Sequence, residues 1–202
     1  MGWPHPSTPA AGTGRLNPSN ESQTRRPISR RNRAMKTLPI TLTPDLYFSY
    51  SQFFVYDASV QMPACEWTKE HSDQGFARRD GTVAFGTLLE YGTAKVEVAV
   101  RAYQPRDDYE RVIAVPFAVV SGKVIVDGPE ETETGRERNF TLPPGDYRFV
   151  AAQRVTGDEE EAIDLFFESL AKPLERSAVL IADDALNPPI PLLETAGVAG
   201  EE

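Results

Sequence analysis

The sequence predicts an all-β protein: an antiparallel β-sandwich with one short helix in its first long connection and a disordered N-terminal tail. Three observations carry that expectation. From residue 45 onward short apolar segments recur at regular spacing, several of them alternate residue by residue, and Gly, Pro and Asp punctuate them. Short strands separated by turn signals are the mark of a sandwich.

Residues 1–44 are rich in Pro, Ser, Thr, Asn and Arg, with almost nothing apolar in a periodic arrangement. Such a segment cannot bury enough surface to offset its ordering entropy and reads as a disordered basic tail. It lacks the apolar block of a secretory signal, although its Arg- and Ser-rich, acid-poor composition loosely resembles an organelle transit peptide. A start codon placed too early is the third reading and the preferred one, because Met35-Lys36 opens an ordinary chain just before the fold begins. The sandwich is expected over 45–185, and 186–202 reads as an extended C-terminal tail.

DLYFSYSQFFVYD, Asp45 to Asp57, is the first strand, and the break in alternation at Ser51-Gln52 means burial on both faces or a bulge. Val83 to Leu89 is the second. Ala94 to Tyr103 alternates cleanly, with Val96, Val98, Val100 and Ala102 inward. Arg111 to Val120 follows; its Pro116 cannot donate to a ladder and belongs at an edge or bulge. Ser121-Gly122 reads as a hairpin turn into KVIVD, and RNFTLPPGDYRFVAAQRV as two strands about a Pro-Pro-Gly-Asp turn. The stretch 158–171 carries acids suited to a helix N-terminus, yet Ile163, Leu165 and Phe167 alternate, and the preceding hairpin wants a partner, so it is assigned to a strand with helix as the alternative. Ser177 to Ala182 is the last strand.

The connection from residue 58 to 81 is the densest in signals. Thr68 can cap a helix whose stop is Gly75, and Trp67 and Phe76 flank that turn and can pin it to a core. Asp80-Gly81 then turns the chain. The segment is either an ordered connection stapled by aromatics or a displayed binding surface.

Charge is divided unevenly. Seven cations against Glu21 put +6 on residues 1–36, so a chain total of −9 leaves −15 on the rest. An acidic surface repels DNA and anionic membranes and attracts basic proteins, although ordinary solubility also favours acidity. The single cysteine, Cys65, excludes a disulfide framework and reads as a buried, inert thiol. Cys65, His71, Asp73 and Asp80 match no established catalytic spacing, and no Gly-rich phosphate loop or stepped calcium loop occurs. No catalytic residue, metal site or cofactor is assigned. With no apolar run long enough to span a bilayer and no signal peptide, the expected location is cytoplasmic.

SYSQFFVYD at Ser49, EWT at Glu66, QGFARRDGTVAF at Gln74, VPF at Val115 and LPPGDYRF at Leu142 together resemble the competence protein J family, the DNA-entry nuclease inhibitors, over roughly Leu46 to Gln153. The resemblance implies a non-enzymatic, immunity-like bacterial protein that binds a DNA endonuclease and holds it inactive, with no direct nucleic-acid contact. If it covers a basic DNA-binding cleft, the expected contacts are Asp73, Asp80, Glu130, Glu131 and Glu133, with Trp67, Phe76 and Arg79 as anchors. The alternative is a stand-alone β-sandwich module with another protein or a carbohydrate ligand.

Overall fold

The computed structural model describes residues 39–129 and 138–200. The expectations for the basic tail, and for Glu130, Glu131 and Glu133, concern residues outside these.

Among the described residues the elements are β1 (Ile40–Thr41), β2 (Leu46–Phe48), β3 (Gln52–Asp57), α1 (Lys69–Gln74), β4 (Phe76–Arg79), β5 (Thr82–Gly86), β6 (Gly92–Ala99), β7 (Arg111–Val119), β8 (Lys123–Asp127), β9 (Asn139–Thr141), β10 (Gly145–Gly157), β11 (Glu160–Leu170) and β12 (Ala178–Ile181). They form two sheets. One runs β1-β6-β11-β10-β7-β12, with β2 also paired to β6; the other runs β4-β5-β3-β8-β9. The pairing is antiparallel except between β6 and β11, which run parallel from Thr93 opposite Glu160 to Ala99 opposite Phe166.

The stretch from Asp45 to Asp57 is two strands in different sheets, not one bulged strand. Tyr50 and Ser51, both at φ 54, make a left-handed pair between β2 and β3, and a tight two-residue turn of this kind needs positive φ at both positions. The broken alternation at Ser51-Gln52 marks that turn. Beyond it β3 is buried on both sides: Phe53 and Val55 face the core between the sheets, while Phe54 and Tyr56 pack under the 58–67 connection with Cys65 and Trp67. Ser121-Gly122 likewise joins strands of opposite sheets, β7 and β8, where a hairpin was expected.

β11 is a strand, as its alternation indicated, with Ile163, Leu165 and Phe167 in the core. Phe149 of β10 and Phe167 of β11 stack at 4.4 Å between centroids, and Phe85 of the other sheet meets the edge of Phe149 at 5.4 Å. These rings bridge the sheets and carry much of the burial that stabilises the sandwich. β6 stops at Ala99, so Val100 and Ala102 lie outside the core they were expected to enter. β12 covers β7 only as far as Ala114, which leaves an open edge at Pro116, where no ladder donor is required.

The C-terminal segment is extended but not free. Gln74, fully buried, clasps it from both sides: its Nε2 donates to the Leu193 carbonyl at 3.1 Å and its Oε1 accepts from the Leu193 amide at 2.9 Å. Ala196 N–H donates to the Arg78 carbonyl, and Cys65 bridges to Val198. This strap lies along β4, the edge strand of its sheet, and removes an open edge that could pair with another chain.

Candidate partner-binding site

The helix expected from Thr68 and Gly75 forms between them. Thr68 caps α1 through its side chain, the His71 ring accepts from the Thr68 amide in return, and Gly75 closes the helix at φ 81. A Cβ at Gly75 would stand 2.9 Å from Leu186 Cδ2, so both backbone and space require glycine there.

The residues anticipated as contacts fall into three groups. Phe76 is 0% exposed and part of the central core; it anchors the protein to itself and is corrected out of any contact surface. Asp73 pairs with Lys69 one turn away, and its carbonyl accepts from Asn187 in the C-terminal strap. Arg79 is half-buried at the end of β4, with Nε and Nη2 lacking partners among the described residues. Asp80 is exposed at the β4–β5 turn. Because β4 starts at Phe76 and ends at Arg79, Asp73 and Asp80 lie beyond opposite ends of that strand. Trp67 packs beside Cys65, and its Nε1 has no hydrogen-bond partner among the described residues. Burial pushes the Cys65 thiol up despite Arg79 nearby, which makes it a poor nucleophile.

Trp67 also lines a cleft of about 590 Å³ with Tyr50, Leu89, Glu90, Arg111 and Leu186. This cleft opens at the end of the sandwich where β5 finishes and β3 and β7 begin. Beneath it lies a buried polar frame. Arg111, 4% exposed, holds Asp183 with two hydrogen bonds of 2.7 and 3.1 Å and donates through Nη1 to the Gly86 and Thr87 carbonyls at 2.9 and 3.1 Å. Gln153 donates to the same Gly86 oxygen at 2.9 Å. Glu161, 1% exposed, accepts from the Leu89 amide at 2.6 Å, and burial raises its pKa to about 7 in spite of Arg111.

This frame fixes the 86–92 loop, and the loop fixes its neighbours. Ser51 donates to the Glu90 carbonyl and accepts from the Thr87 amide, so the Tyr50-Ser51 turn is tied to it. On the other side Thr93 donates to Glu159 O at 2.9 Å, and a Cβ at Gly92 would sit 2.3 Å from that oxygen. The β10–β11 turn at Asp158-Glu159 therefore abuts Tyr91 and Gly92. No spacing in the sequence signalled that these three turns meet, since the pairing of β6 with β11 decides it.

Among the described residues no group of three or more His, Cys, Asp and Glu side chains could hold a metal ion. What the cleft offers is an ordered polar and aromatic rim. The family model for competence protein J (ComJ) matches residues 45–171. The chain belongs to the competence protein J family. The match extends past Gln153 to take in β11. The DNA-entry nuclease inhibitor of Bacillus subtilis (strain 168) is 28% identical over 106 residues, 52% of this chain and 76% of that protein. A crystal structure of ComJ from Bacillus subtilis, described as the inhibitor of the DNA degrading activity of NucA, superposes with a TM-score of 0.56 and 21% identity, over 66% of this chain and 100% of that one. That likeness shows the ComJ fold. The strap after residue 171 lies outside the family match.

Proposed function

We propose that this chain is a protein inhibitor of a DNA endonuclease, acting by stoichiometric binding and not by catalysis. The observation that carries the reading is membership of the competence protein J family together with a relative that is itself a DNA-entry nuclease inhibitor. Charge supports the mechanism. A nuclease that grips DNA presents a basic cleft, and a domain carrying −15 beyond residue 36 competes with phosphate for such a surface while being repelled by DNA itself. The partner is therefore a basic protein, with the acids of the sandwich steering its approach.

Rigidity supports it further. An inhibitor that need not rearrange loses less entropy on association, and the 86–92 loop is held by Arg111, Gln153 and Glu161 before any partner arrives. Titrating the chain against the DNA endonuclease of its own organism, at low and high salt, tests the function. Protection of DNA that saturates at one inhibitor per nuclease and weakens as salt rises is the expected result. Undiminished cleavage at a large excess of the chain would overturn it.

A further inference from the structure

The inhibitor reading leaves open which surface meets the nuclease. Two regions of the sandwich are already covered by the chain itself. The β4 edge is occupied by the C-terminal strap, and the outer side of the other sheet is covered by the segment after β6, whose Tyr103 and Tyr109 pack on Phe166 and its neighbours. One end differs. Tyr50 is 75% exposed and Tyr91 is 55% exposed, on the two turns that the Ser51–Glu90 hydrogen bond ties together. The cleft lined by Trp67 and Leu89 lies beside them.

Around these aromatics stand Glu90, Glu110, Asp158, Glu159 and Glu160, all exposed. Glu110 belongs here because its carboxylate accepts from the Val155 amide near the end of β10. None of the five enters an ion pair among the described residues; unpaired acids such as Asp80, Asp107 and Glu175 occur elsewhere, but these five stand beside exposed tyrosines and a cleft. Rigid, exposed tyrosines beside a cleft supply contact area at low entropic cost, and unpaired acids around them supply steering and register. A second copy would set acid against acid, and nucleic acid is repelled by the same charges.

The geometry points to this end, Tyr50, Tyr91 and the Trp67 cleft rimmed by Glu90, Asp158, Glu159 and Glu160, as the surface that docks the basic DNA-binding face of the nuclease. The inference rests on the inhibitor reading above. Tyrosine at the centre provides the anchor; the carboxylates take the places that DNA phosphates occupy along the nuclease's basic residues. Asp80, at the far end, lies outside the contact.

The test compares variants in the DNA-protection assay with the endonuclease of the chain's own organism. The double variant Glu90→Lys/Glu159→Lys, and separately Tyr50→Asn, are expected to raise the inhibitor concentration needed for half protection at least tenfold. Asn suits the left-handed backbone at residue 50, so its effect is not one of misfolding. Asp80→Lys is expected to protect as the unaltered chain does, and circular dichroism and thermal melting establish that each variant is folded. Full protection by folded end variants, or loss confined to Asp80→Lys, overturns this surface while leaving the inhibitor reading intact. Absence of protection by the unaltered chain overturns that reading, and the surface assignment falls with it.

Discussion

The two ends of the sandwich are both braced by a buried carboxylate, but the braces hold the backbone for different purposes. At the end where β3 finishes, Asp57 accepts from the amides of Val120 and Ser121 at 2.8 and 2.9 Å and from Ser59, clamping the β7–β8 crossing to the other sheet. Burial pushes its pKa up, but these hydrogen bonds outweigh burial and hold it at about 2. At the cleft end Glu161 accepts from the Leu89 amide, its Oε2 has no hydrogen-bond partner among the described residues, and burial dominates, so its pKa rises to about 7. A carboxylate surrounded by donors closes a structural joint; one held with a single donor beneath a cleft keeps a display loop in place at a cost in stability. The charge outside follows the same division. Toward the Asp57 end exposed Lys123, Lys172 and Arg176 are mixed with exposed Asp80 and Glu175, while Glu90, Asp158, Glu159 and Glu160 gather at the cleft end.

The contrast can be broken by substitution, and the largest effect is expected at the structural joint. Asp57→Ala strands two amides and should lower stability by about 3 kcal/mol in urea unfolding, with inhibition by the folded fraction unchanged. The pH dependence of the two carboxylates should have opposite sense. Asp57 has a folded pKa below its ordinary 3.8, so its contribution is complete above that value and is lost as pH falls toward about 2. Glu161 has a folded pKa above its ordinary 4.5, so the native state holds the extra proton; stability falls as pH rises from 4.5 to about 7 and levels off above it. Glu161→Gln should therefore add about 2 kcal/mol at pH 8 and remove that slope in thermal melts recorded from pH 5 to 8.

Smaller effects sharpen the picture of the cleft wall. Gly75→Ala places a Cβ against Leu186 on a left-handed backbone and should cost about 1–2 kcal/mol. Its signature is faster amide exchange at Asn187, which donates to Asp73 at the end of α1. Ser51→Gly relaxes one of the two left-handed residues and should stabilise by about 0.5–1 kcal/mol in the same unfolding measurement, leaving the Tyr50 side chain in place.

Much of this was legible in the sequence where the signal is local. Thr68, Gly75 and the flanking aromatics specified α1 to the residue, and alternation in Ile163, Leu165 and Phe167 outweighed the acids that suggested a helix, because a strand beside β10 buries those three side chains on one face. Signals that depend on which sheet a strand joins were not legible. The break before Gln52 read as a bulge or as burial on both faces of a single strand because both halves are aromatic and apolar, and Ser121-Gly122 read as a hairpin because a tight turn looks alike whether it joins neighbours or crosses between sheets. The surface residues followed the same rule. Phe76, read both as a pin to the core and as a contact anchor, is core, while Tyr50, Glu90 and Tyr91 passed unremarked because only the meeting of three turns brings them together.

Amide hydrogen exchange on the chain alone and in its complex with the endonuclease tests the central claim most directly. The account predicts added protection concentrated in Thr87–Gly92, at Tyr50-Ser51 and across Gly157–Glu160, with the Asp80-Gly81 turn unchanged. Protection centred on Asp80-Gly81, with the three cleft-end turns exchanging as in the free protein, would contradict it.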